Sequence, residues 1–230
     1  ALARGMRDDD PLVRRSALDG ALQLPDEALG EALLEGAERC LRDEAPPVRH
    51  AAAVLLGQHG QSHAADALLA AFDDPELGVL ALRAAANLDD PSLHARVAEL
   101  AHSVLKPRML VAEAARTLIL RGDPRGVAVL QKLLGGLRAA GRTAAVLIAA
   151  ELELGELAPQ IAALARRPRG VDLGVLADAL AALAPQSRPC LDALYHLAAR
   201  TDAPGEAARA ALLALENPSA EAHPGSPEPG

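Results

Sequence analysis

Apolar residues recur along the chain at steps of three and four, as in Val48, Ala52 and Leu55, and that step draws a stripe along one face of an α-helix. In a second run, Leu29, Leu33, Ala37 and Leu41 fall inward while Glu27, Glu31, Glu35 and Glu38 fall at or near the outer surface. This predicts an amphipathic helix over about 27–42. The same reading predicts helices over about 62–72, 92–104, 124–138, 156–167 and 189–201. Each is followed by a second helix that opens at a Pro with an acidic or polar neighbour. Proline suits the first helical turn, and a short polar side chain beside it caps free amides.

This punctuation is periodic. Asp10-Pro11-Leu12-Val13-Arg14 leads into Ala17 and Leu18, and Ala45-Pro46-Pro47-Val48-Arg49 leads into Ala51, Ala52, Leu55 and Gly57. Further copies start at Asp74-Pro75 and at Lys106-Pro107, and a weaker one is anchored on Val146. Leu173-Gly174-Val175-Leu176-Ala177 repeats Leu77-Gly78-Val79-Leu80-Ala81 letter for letter, and a seventh copy begins at Pro204. The spacing averages about 32 residues, in the range of helix-pair solenoids. The fold expected is therefore all-α, an α-solenoid of about seven antiparallel helix pairs over residues 1–216. Residues 1–8 read as the tail of a first helix, so the first repeat is expected to be incomplete and the chain to be either a fragment or part of a longer array. Residues 217–230, rich in Pro, Gly and Ser, are expected to be disordered.

Composition agrees with an all-helical core. Half of the 230 residues are hydrophobic but only 1% are aromatic, with Phe72 and Tyr195 the whole aromatic complement, so the core must be Ala, Leu and Val. A formal net charge of −8 disfavours a nucleic-acid partner, which calls for a basic face. No apolar run approaches the ~20 residues of a membrane span. Cys40 and Cys190 read as small buried hydrophobes in a reducing compartment, which points to the cytoplasm.

The pattern Asp-x-x-Val-Arg-x-x-Ala-Ala-x-x-Leu-Gly, strongest at Val48–Gly57 and good at Val13–Leu22, resembles the HEAT repeat in its short bacterial form, also seen in phycobilin lyases. The resemblance implies a right-handed superhelix whose second helices line a concave face. This sequence departs from the pattern in two ways. Only Arg14 and Arg49 keep the Arg after the Val, with Leu147 in its place after Val146, and the interval from Val146 to Leu173 is short. In such repeats the Arg resembles a structural ladder that reaches the Asp or the carbonyls of a neighbouring repeat.

No residue set supports catalysis. His59 and His63 flank Gly60 at a turn, and His94 and His102 stand eight apart, too far to chelate one ion without other ligands. The absence of any His-Glu dipeptide removes a resemblance to HEAT-type di-iron hydroxylases. Glu151, Glu153 and Glu156 read as a solvated face, Arg166, Arg167 and Arg169 as a solvated basic turn, and neither cysteine has a neighbouring His. Gly-x-Ser-x-Gly, Gly-x-Gly-x-x-Gly and Walker-type loops are absent. The chain is accordingly expected not to be an enzyme and to hold no cofactor or metal.

Helix phase singles out one surface. With the Val and its followers at steps of four and seven buried, the outward positions of the second helices read Arg15, Asp19, His50, Arg83, Glu113, Arg116, Glu151 and Asp178. This series is basic in the early repeats and more acidic in the last two. The function expected is a non-catalytic scaffold that presents this groove to another protein, its charge gradient orienting the partner. The alternative is a lyase or lyase subunit like the phycobilin-attaching proteins. Two aromatic residues equip the chain poorly to stack a tetrapyrrole, and a HEAT-like DNA glycosylase would need more aromatic and basic residues still.

Overall fold

The computed structural model describes residues 1–166 and 170–216, and every described element is helical. The tail at 217–230 and the residues Arg167 and Arg169 lie outside the described residues. Two compact units divide the chain, Ala1–Val127 and Ala128–Gly230.

In the first unit the helices pair as α1 (Leu2–Gly5) with α2 (Pro11–Leu22), α3 (Glu31–Cys40) with α4 (Pro46–Gln58), α5 (Ala65–Ala71) with α6 (Gly78–Ala85), and α7 (Pro91–Ala101) with α8 (Arg108–Leu120). Helix α9 (Arg125–Leu134) follows, and the division between the units falls within it. The second unit continues with α10 (Ala139–Glu151), then α11 (Ala158–Arg166) with α12 (Leu173–Leu183), and α13 (Arg188–Ala198) with α14 (Ala203–Glu216). Both units are built of helices in the manner of an α-solenoid, with six helix pairs and the further helices α9 and α10 among the described residues. Second helices stack on second helices, α2 on α4, α4 on α6 and α6 on α8 in the first unit, α10 on α12 and α12 on α14 in the second.

The predicted punctuation sets the helix starts. Asp10 accepts the Leu12 amide at 2.8 Å ahead of Pro11, and Asp90 accepts the amides of Ser92 and Leu93 ahead of Pro91. Ser187 and Asp172 cap α13 and α12 in the same way. Helix α4 is buried at every position from Ala51 to Gly57, which places it at the centre of the unit with α2, α3, α5 and α6 around it. Small residues permit that approach. A Cβ on Gly57 would meet Ala84 Cβ at 3.1 Å and Leu68 Cδ2 at 3.2 Å, and one on Gly78 would meet the Phe72 carbonyl oxygen at 2.8 Å. Phe72 is itself fully buried, the single aromatic anchor of the first unit, while Tyr195 in the second is half exposed.

The first helices are shorter than their apolar stripes predict. The segment about 27–42 divides into a 3-10 turn, Asp26–Ala28, and α3, because Gly30 is extended at φ −76°, ψ 162° and resets the chain before Glu31. Likewise 3-10 turns precede α5 and α11. The interval that reads as short in the sequence is regular. Helices α10 and α12 start at 139 and 173, 34 residues apart, so Val146 is the eighth residue of its helix rather than the third. The fourth residue is Arg142, the place held by Arg14 in α2 and Arg49 in α4.

Helix ends repeat as well. Past α4 and α8 the chain turns at Gly60 (φ +70°) and Gly122 (φ +75°), and the next amide returns to a carbonyl of the last turn, Gln61 to Leu56 and Asp123 to Leu118. Past α10 the corresponding residue is Glu153 at φ +51°, with the Leu154 amide bonded to the Ala149 carbonyl.

Candidate functional site: the face of the second helices

The turns between paired helices carry the ladder that the repeat pattern implies. Arg14 donates from Nε and Nη2 to the two oxygens of Asp43 at 2.6 and 2.7 Å, and from Nη1 to the carbonyls of Asp8 and Asp9. Arg49 donates to the carbonyls of Asp43 and Glu44, and Arg142 to those of Leu134 and Gly136. Asp43 also accepts the Ala45 amide, and the Arg14 guanidinium holds its carboxyl below the usual carboxylate range, with burial opposing. Arg14 and Arg49 are thus structural, as the pattern implies. The register also assigns Arg142 to this role, a residue the sequence hides because Gly141, and not a valine, precedes it.

Six of the eight residues predicted for the interaction face lie in the first unit. They do not form a bare basic strip. Arg15 on α2 donates to Asp19 Oδ1 at 2.8 Å, to the Pro47 carbonyl at 3.4 Å and to Glu76 Oε2 at 3.2 Å. His50 on α4 lies with Nδ1 2.9 Å from Asp74 Oδ2. Asp74 also accepts the amides of Glu76 and Leu77 in the turn ahead of α6. Burial works against its ionisation, but His50 and these amides together hold its carboxyl below the usual range. Arg83 on α6 donates to Glu113 at 2.8 and 3.3 Å, and Arg116 Nη1 stands 3.7 Å from the same carboxylate.

Two expectations about this face need correcting. Glu113 does not face outward. It is 1% exposed, since α8 turns it toward α6 and the half-exposed Arg83 reaches over to it. The basic side chains of the early repeats are also paired, because Asp19 and Glu76 meet Arg15, Asp74 meets His50 and Glu113 meets Arg83. Sequence reasoning treats Asp74 as a cap and passes over Glu76. Their recurrence beside the turn prolines is the signal that marks them. In the second unit Glu151 on α10 and Asp178 on α12 are both exposed.

A second charged feature lies on the first-helix side of the same unit. An open groove of about 800 Å³ is lined in part by His94, His102, Arg121 and Arg125. Its side chains are paired internally: Arg125 and His94 meet at Asp123, and Arg121 donates to the Leu88 carbonyl and Asp89. Among the described residues no three His, Cys, Asp or Glu side chains converge as metal ligands. Both thiols are buried, pushed up in pKa by that burial, and face the carbonyls of Met6 and Ala158.

A family model described as HEAT repeats matches residues 1–89. Over those residues the chain is similar to HEAT repeats. The match takes in α1 to α6, and therefore Arg15, His50 and Arg83, while the helix-pair grammar carries on beyond it to α14. No protein of curated function matches the sequence. Among solved structures, human deoxyhypusine hydroxylase in complex with glycerol aligns over 94% of this chain and 95% of its own, at 18% identity and a TM-score of 0.42. That likeness carries no assignment of activity, but it corrects the expectation that the chain is not an enzyme.

Proposed function

We propose that this chain is an interaction scaffold whose first unit receives a protein partner along the row of second helices α2, α4, α6 and α8. The observation that carries the reading is the fixed orientation of the nitrogen-bearing side chains on that row. Arg15, His50 and Arg83 project from three successive second helices, each held by a carboxylate, so their donors are positioned before a partner arrives. The net charge of −8 favours a protein over a nucleic acid. No described helix is long and apolar enough to cross a membrane, and the two buried thiols suit a reducing compartment such as the cytoplasm.

The test is affinity capture from cell lysate with the parent chain, a variant charge-reversed at Arg15, His50 and Arg83, and a control charge-reversed at Glu31 and Glu35 on α3. We expect one protein retained by parent and control and lost by the face variant, with circular dichroism showing all three folded. Retention by the face variant would sink the assignment.

A further inference from the structure

Arg15 is tied to three successive repeats. Its Nε is held by Asp19 on its own helix, Nη1 points at the Pro47 carbonyl at the start of α4, and Nη2 meets Glu76 just ahead of α6. In a helical solenoid each repeat ordinarily touches only its neighbours, so a contact from the first repeat to the third is an exception. Its two ends are unlike. The Arg15 side chain is only 15% exposed and is anchored through two other nitrogens, whereas Glu76 is 77% exposed, with Arg15 as its side-chain partner. An exposed ion pair of this kind holds weakly, and the glutamate loses little by returning to water. The guanidinium cannot withdraw in the same way. Its plane is fixed and its remaining donor edge is already aimed along the second-helix face, the geometry in which arginine recognises carboxylate.

We propose that Glu76 is an internal occupant of a carboxylate-binding position on Arg15, and that an acidic segment of a protein partner displaces it. This rests on the scaffold reading and adds to it the partner's chemistry and an autoinhibitory contact. Glu76 itself shows the chemistry that the position takes. Asp19 and Asp74 are engaged by Arg15 and His50, so vacating Glu76 leaves the Nη2 edge of Arg15 open to an incoming carboxylate. The partner must supply acidic side chains in an extended segment, because the position lies on a helical face and not in an enclosed cavity.

The test measures fluorescence anisotropy of a labelled hexaglutamate peptide, with hexaglutamine as the neutral control, against the full chain and the variants Glu76→Gln, Arg15→Gln, the double variant and Glu35→Gln. Removing the internal competitor should tighten hexaglutamate binding about two- to five-fold, the range an exposed ion pair spans. The gain should vanish in the double variant and weaken in 300 mM salt. Glu35→Gln removes the same charge from α3 and should leave binding at the parent value. A gain in Glu35→Gln equal to that in Glu76→Gln, a gain that survives Arg15→Gln, or no binding of hexaglutamate by parent and Glu76→Gln alike would overturn the proposal. Preference for a single-stranded oligonucleotide over hexaglutamate would overturn it too. Should lysate capture still depend on the second-helix face while hexaglutamate fails, the scaffold reading stands and the acidic occupant falls.

Discussion

The ion pair between Arg83 and Glu113 should respond very differently to the loss of one partner or the other. Glu113 is buried, its side chain 2% exposed, while that of Arg83 is 45% exposed. Replacing Arg83 with Met strips the two donors at 2.8 and 3.3 Å from a carboxylate that cannot reach water, leaving it Arg116 at 3.7 Å. Breaking a buried pair in this way costs ~3–5 kcal/mol, and the remaining arginine reduces that to about 2–4 kcal/mol. Replacing Glu113 with Met removes the buried charge and fills the same volume. The half-exposed Arg83 then turns to solvent, and the cost should be about 1 kcal/mol or less. At about 2–4 °C per kcal/mol for a chain of this size, Arg83→Met should melt roughly 5–15 °C below the parent and Glu113→Met within a few degrees of it. Thermal denaturation followed by circular dichroism at 222 nm reads both, the wavelength being the usual helix band (~222 nm). Equal losses, or a larger loss for Glu113→Met, would refute the argument that burial of the acid governs this pair.

Glu153 adopts a left-handed conformation where the equivalent turns use glycine, so Glu153→Gly should raise stability by about 0.5–1 kcal/mol in urea unfolding. Gly78→Ala should destabilise by about 1–3 kcal/mol, because its methyl would press on the Phe72 carbonyl, whereas Gly30→Ala, with open space around it, should change the midpoint far less. Asp43, held low by the Arg14 hydrogen bond, and Asp73, held low by Lys106, have folded pKa values below their unfolded ones. Their contribution is therefore complete above the unfolded carboxylate value of about 4 and is lost as pH falls below it. The melting temperature should drop with acidification in that window, and the drop should be shallower in Asp43→Asn; an unchanged slope would count against the ladder.

Much of the architecture is legible in the sequence because its causes are local. Ala51–Gly57 is apolar on all sides and belongs to the most buried helix of the first unit, and Asp10-Pro11 and Asp90-Pro91 start the helices they mark. Register is harder to read where packing overrides the pattern. Around Val146 the apolar residues run nearly unbroken, so helix phase is undefined by hydrophobicity alone, and only the Arg142 contacts fix it. Glu113 fails for the complementary reason. Its charge predicts solvent, while its burial depends on an arginine one repeat away, which no single-helix argument contains. The pairing of the face's cations with Asp74 and Glu76 is of the same kind, since these partners lie 24 and 61 residues away in the chain.

The division of two aromatic side chains between two units gives the molecule an unusual optical economy. Phe72 sits sealed in one unit and Tyr195 stands half in water in the other, with no tryptophan to mask either. Tyrosine emission should therefore track events around α13 and stay silent about the face formed by α2 to α8. A tryptophan placed in the first unit, at a surface position such as Ser16, would give that face a separate signal, and local opening of one half could be distinguished from opening of the other.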